Sequence, residues 1–192
     1  MLNRYLILLA FSMWIFSCKD SKKTEDPQQI VHTDTAETIL PVFPVTDYLL
    51  GQIDETEKME VTPLETIMAN GKTDSVWIKR EDVRKEAYPF LHPEIDSASL
   101  HQYYTGNSFL DRTTGSYTFT YSPKQGLPKD FDLTKIDVYV DTTNNKVQRI
   151  YLVKENGDTT RQLTWKAGKW FSIRTIVGGQ VKEVKVKWDF NE

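Results

Sequence analysis

His92, Glu94, Asp96 and His101 gather two imidazoles and two carboxylates in one short segment. Side chains of these types move protons as a general acid and base, or offer nitrogen and oxygen ligands to a divalent ion. The segment is also a loop built around Pro93, where polar residues belong in any water-exposed fold. No second signature supplies a nucleophile or a third ligand. Asp141-Thr142-Thr143-Asn144-Asn145 has the oxygen-rich look of a calcium loop. It lacks the central glycine and the distal bidentate glutamate that such a loop needs, and is assigned to a hairpin turn. His32 sits in a polar stretch and is assigned to solvent. No cofactor or metal site is expected.

Aromatic side chains offer a different chemistry, that of a groove for sugar, lipid or peptide. Most of them belong to the core. Tyr139 and Tyr151 are the exceptions singled out as candidate binding residues. Alternation sets Tyr139 opposite Ile136, Val138 and Val140, and sets Tyr151 opposite Ile150 and Leu152. Aromatic rings would then occupy both faces of a sheet, so either helices cover the second face or it contacts a partner.

The elements that must position these residues are legible from period and punctuation. Apolar Ile136, Val138 and Val140 alternate with Asp137, Tyr139 and Asp141, and a turn at 142–145 leads to a return strand at 147–154. Asn156-Gly157, Ala167-Gly168 and Gly178-Gly179 punctuate three further strands, the last carrying Val184, Val186, Trp188 and Phe190 on its core side. Short connections require antiparallel neighbours.

Upstream, Pro44-Val45-Thr46-Asp47 with Leu49 and Ile53 predicts a short capped helix ending before Glu60. Asn70-Gly71 predicts a hairpin between strands at 64–69 and 73–78, in preference to a helix capped at Thr62-Pro63-Leu64-Glu65. Residues 80–91 read as an amphipathic helix limited by Pro89 and Pro93. Asp96, Ser97 and Ser99 can cap a second short helix through Tyr103. Strands at 108–112 and 116–122 follow, with Tyr117, Phe119 and Tyr121 on one face. The expected fold class is α+β: an antiparallel β-meander of five to six strands, an open sheet or a partly closed barrel, with two or three short helices in the N-terminal half.

The N-terminus carries an address. Arg4 precedes a run over 5–16 that is apolar apart from Ser12, and the polar Lys19, Asp20, Ser21, Lys22 and Lys23 follow Ser17 and Cys18. This is a signal-peptide layout, and the run falls well short of the roughly 20 apolar residues that span a hydrocarbon core. Ile15-Phe16-Ser17-Cys18 resembles the lipobox of bacterial lipoproteins, with an aliphatic residue three places before the cysteine and a small one directly before it. The resemblance covers only the leader. It implies cleavage between Ser17 and Cys18, a diacylglycerol thioether on the Cys18 sulfur and acylation of the amino group so exposed. The lipid bilayer would then be a permanent partner, because stable anchoring needs at least two acyl chains and three are implied. Lipidation would also remove an unpaired thiol from an oxidising compartment.

Three segments follow from this: a signal peptide over 1–17, the lipidated cysteine and a flexible tether over 18–41, and a single α+β domain over 42–192. Removing the leader from 192 residues leaves roughly 175, enough for a domain with a sizeable core. The stretch 19–41 is polar, charged in both signs and poor in aromatics, a composition that cannot offset its ordering entropy. About twenty flexible residues would reach roughly 25 Å. The chain has 24 Lys and Arg against 27 Asp and Glu, a formal charge of -3. With no basic excess and no recognition motif, nucleic acid is not an expected partner. The single cysteine rules out an internal disulfide.

Two functions from different classes fit these observations. The first is a noncatalytic lipoprotein of the cell envelope, on the outer membrane in preference to the inner, whose domain binds an envelope protein or a small ligand. The second is a membrane-tethered hydrolase or metal-dependent enzyme built on His92, Glu94, Asp96 and His101.

Overall fold

The computed structural model describes residues 42–128 and 131–191. The expectations for the signal peptide, for Ser17 and Cys18, for the tether and for His32 lie outside the described residues. Among the described residues, no helix is long and apolar enough to cross a membrane.

Helix α1 (Val45–Lys58) buries Val45, Leu49 and Ile53, which recur every four residues and form one stripe. Its entry differs from expectation. Pro44 is the capping position and makes no side-chain cap. Thr46 lies inside the helix and turns its hydroxyl to accept the backbone N–H of Ile95 at 2.7 Å, while its own N–H donates to the Ile95 carbonyl. This tie holds the helix start against the loop before α4.

The hairpin β1 (Leu64–Ala69) and β2 (Lys72–Trp77) turns on Asn70 and Gly71. Both have positive φ, 52° and 72°, as a tight two-residue turn requires. The single helix expected over 80–91 is instead two, α2 (Asp82–Glu86) and α3 (Tyr88–Leu91). Pro89 has no N–H to give to the fourth residue back, so the ladder breaks and restarts at Ala87. Arg84 bridges Asp54 and Glu57 and fastens α2 to α1. Helix α4 (Ser97–Tyr103) begins as expected at Asp96, whose carboxylate accepts the Ser99 N–H at 2.7 Å.

The chain then runs through β3 (Tyr104–Asp111), β4 (Ser116–Pro123), β5 (Leu133–Asp141), β6 (Val147–Asn156), β7 (Thr159–Lys166), β8 (Trp170–Val177) and β9 (Gln180–Lys187). Among the described residues one antiparallel sheet of nine strands forms, ordered β2-β1-β9-β8-β7-β6-β5-β4-β3. The expected five or six strands undercount it. The two hairpins that precede the C-terminal meander join the same sheet, β4 pairing with β5 and β1 with β9. The strand order has two free ends, so the sheet is open rather than a closed barrel.

One face of the sheet meets the helices. Phe90 of α3 sets its ring edge-on to Trp165 and Phe171 at 5.5 Å from each. Ile136, Val138, Ile150, Leu152, Leu163 and Val186 complete a continuous buried cluster with Leu49, Ile53, Val83 and Leu100. Trp188, one residue beyond the last strand, continues that face and is 3% exposed. Phe190, expected in the core, is instead 44% exposed and packs edge-on against Trp77 at the sheet's rim. The strand has ended by then, so alternation no longer directs its side chain inward.

Candidate functional site

Beyond Leu152, the inward face of β6 continues to Lys154, which is 4% exposed. Its direct partner across the ladder on β7 is Arg161. Two cations therefore oppose each other just past the apolar stretch of that face. Lys154 reaches under α3 and donates to the Pro89 and His92 carbonyls, closing the helix end where backbone acceptors are left over. Burial pushes its ammonium down to about 8; Asp132 works against that shift and Arg161 adds to it.

Above this pair lies a cleft of about 620 Å³, walled by Tyr88 and His92 on the helix side and by Asp132, Glu155 and Asn156 on the sheet side. A recess of about 210 Å³ shares Asp132, Lys154, Asn156 and Arg161 with it. The rings of Tyr88 and His92 lie 4.2 Å apart. The cleft can hold a small polar molecule and offers both cationic donors and carboxylate acceptors.

The opposite face of the sheet carries no helix among the described residues. Strand register places Phe109, Thr118, Tyr139, Arg149, Lys166, Trp170, Lys187, Leu64 and Trp77 in one transverse row, each beside the next. With strands about 4.8 Å apart, the stretch from Tyr139 to Lys187 covers roughly 19 Å. The guanidinium of Arg149 lies 3.9 Å from the Tyr139 ring centre, and the Lys185 ammonium 4.3 Å from that of Trp170. Both are cation–π contacts. Tyr151 belongs to the adjacent row, between Asp137 and Thr164. Asp137 is buried there, accepting from Thr120 at 2.7 Å and pairing with Lys135 at 3.1 Å. That carboxylate holds the Lys135 ammonium above its usual range, and burial raises the Tyr151 phenol.

The four residues of the alternative, enzymatic reading are not brought together as one set around the cleft. His92 lines the cleft; Glu94, Asp96 and His101 are not among its lining residues. Asp96 is engaged in capping α4, and the N–H of Ser99 holds its carboxyl below the usual range. The His101 carbonyl accepts from Lys124, and His101 is exposed on the last turn of α4. Among the described residues, no three His, Cys, Asp or Glu side chains are grouped to hold a metal ion. Asp141 caps its own turn by accepting from the Thr143 N–H at 2.8 Å, in keeping with a hairpin. Lys154 and Arg161 escaped the sequence reading, although a signal was there. Alternation from Ile150 and Leu152 leads to Lys154, and back from Trp165 and Leu163 to Arg161. No protein-family model, no curated protein and no solved structure matches the chain.

Proposed function

We propose that this chain is a membrane-anchored lipoprotein of the cell envelope whose domain is a noncatalytic binding module, docking an acidic partner protein on the sheet face opposite α3. The anchoring part rests on Arg4, the apolar run over 5–16 and the Ile15-Phe16-Ser17-Cys18 motif, and puts acylated Cys18 in the bilayer, the outer membrane in preference to the inner.

The binding part rests on one observation, the row in which Tyr139, Arg149, Lys166, Trp170 and Lys187 lie side by side across five strands. Aromatic and arginine side chains are the groups that anchor protein interfaces. The row holds three cations and no carboxylate, in a chain whose formal charge is -3. Such segregation of charge raises the rate of encounter with an acidic surface and discriminates against basic ones. Tyr139 and Tyr151 lie on this face, within reach of a partner seated along the row.

Intact envelopes carrying a photoreactive benzophenone amino acid at position 139 test both parts. The expected result is one reproducible adduct in the membrane fraction, weakened by high salt and lost when Arg149→Glu and Lys166→Glu are combined. Cys18→Ala should release the chain from that fraction or block its maturation. An adduct insensitive to both salt and charge reversal would defeat the acidic-partner reading. Unchanged membrane association of Cys18→Ala would defeat the anchor.

A further inference from the structure

We infer that the cleft between α3 and the β6–β7 end of the sheet binds the carboxylate of a small hydroxylated acid, of which a uronic-acid sugar is the simplest example. It lies on the helix side of the sheet and is independent of the docking face.

The opposed pair Lys154 and Arg161 is the starting point. Like charges directly across an antiparallel ladder repel and destabilise the sheet. The fold provides only part of the relief. Lys154 gives two of its three N–H donors to the Pro89 and His92 carbonyls, and Asp132 supplies one negative charge nearby. Arg161 is exposed to the cleft and forms no salt bridge with a carboxylate among the described residues. A guanidinium so placed presents a planar fork suited to a carboxylate, and an anion bridging the two cations would remove the repulsion.

The rest of the wall narrows the ligand class. Asp132 and Glu155 add two negative charges to the same cleft, which disfavours a dianion such as a phosphate monoester and tolerates a single charge. The same carboxylates are acceptors for hydroxyl groups, and the Asn156 amide offers both a donor and an acceptor. The rings of Tyr88 and His92, 4.2 Å apart and inclined by 35°, supply a partly apolar wall for the C–H face of a ring. The cleft's volume of about 620 Å³ is in the range used for small molecules.

Calorimetric titration of the full chain in detergent tests this with sodium D-glucuronate, D-glucose and inorganic phosphate as separate probes. The expected result is saturable one-site binding of glucuronate, no binding of glucose and weaker binding of phosphate. Arg161→Gln should weaken glucuronate binding by about tenfold or more, the loss of a charge-assisted bidentate contact. Tyr88→Ala, also at an exposed position, should weaken it with an unchanged urea midpoint, which separates loss of the wall from loss of the fold. Absence of glucuronate binding, wild-type affinity in both variants, or phosphate binding as tightly as glucuronate would each overturn the inference.

Discussion

Replacing Lys154 by methionine should remove a pH-dependent cost that the wild-type chain carries. Burial lowers the ammonium from 10.5 to about 8, and one pKa unit corresponds to about 1.36 kcal/mol, so keeping it charged at pH 7 costs about 3 kcal/mol. The sign follows from proton counting. Between pH 8 and 10.5 the unfolded lysine still holds its proton while the folded one has lost it. The unfolded state binds more protons there, so the unfolding free energy rises with pH. Integrating between the two values, about 2 kcal/mol of the cost is gone by pH 9.5.

Methionine fills the volume of the lysine stem without charge. It leaves the Pro89 and His92 carbonyls without their donor, a loss of about 2 kcal/mol in total that does not depend on pH. Lys154→Met should therefore be slightly more stable than wild type at pH 7 and less stable at pH 9.5. Urea midpoints of both proteins at pH 7, 8.5 and 9.5 give the difference directly. Tyr48 and Tyr104, whose phenols burial pushes up to about 12, titrate alike in both chains and cancel. Two curves that stay parallel from pH 7 to 9.5 would refute a lysine held at depressed pKa in this fold.

Trp188→Ala should lower stability by about 3–5 kcal/mol, because the indole packs 5.6 Å from Trp165 and 6.2 Å from Phe171; a urea midpoint near wild type would count against its place in the core. Thr46→Val should cost about 1–3 kcal/mol by leaving the buried Ile95 N–H without its acceptor. Thr46→Ser, which keeps that acceptor, should retain most of the stability, and equal urea midpoints for the two variants would discount the hydrogen bond.

Local punctuation was the most legible part of the chain. Asn70-Gly71 announced its hairpin because two successive positive φ angles suit few other pairs. Asp96 announced α4 because a carboxylate ahead of Ser97 and Ser99 can accept an orphan N–H. Strict alternation assigned Tyr139 and Tyr151 to the face away from Ile136 and Leu152, as the register has it. What stayed illegible was long-range. Nothing local in residues 64–69 says that they pair with β9, since that contact depends on a partner far along the chain. The strand count was therefore low. His92, Glu94, Asp96 and His101 are close in sequence, but closeness along a chain does not bring side chains to one point in space, and only His92 lines the cleft. A helix cap and a cleft wall account for two of the four.

Both candidate surfaces have one physical origin, an excess of sheet over helix. Nine strands at about 4.8 Å spacing make a layer roughly 38 Å across between its outermost strands, whereas α2, α3 and α4 have five, four and seven residues. Phe90 anchors the helical layer over Trp165 and Phe171, near the middle of the sheet. At the margin of that cover along β6 and β7, Lys154, tucked under the end of α3, and the exposed Arg161 take the place of Leu152 and Leu163. The far face has no helical cover among the described residues and carries exposed and half-buried side chains along its central row. Cations lean on aromatic rings there, and each ring surrenders apolar surface to an ammonium or guanidinium that water still reaches. A sheet wider than its helical cover is thus polar at its margin, where Lys154 and Arg161 meet Asp132 and Glu155, and carries on its back a row in which Arg149, Lys166 and Lys187 stand without a carboxylate among them; the first arrangement suits a small polar ligand and the second an acidic surface.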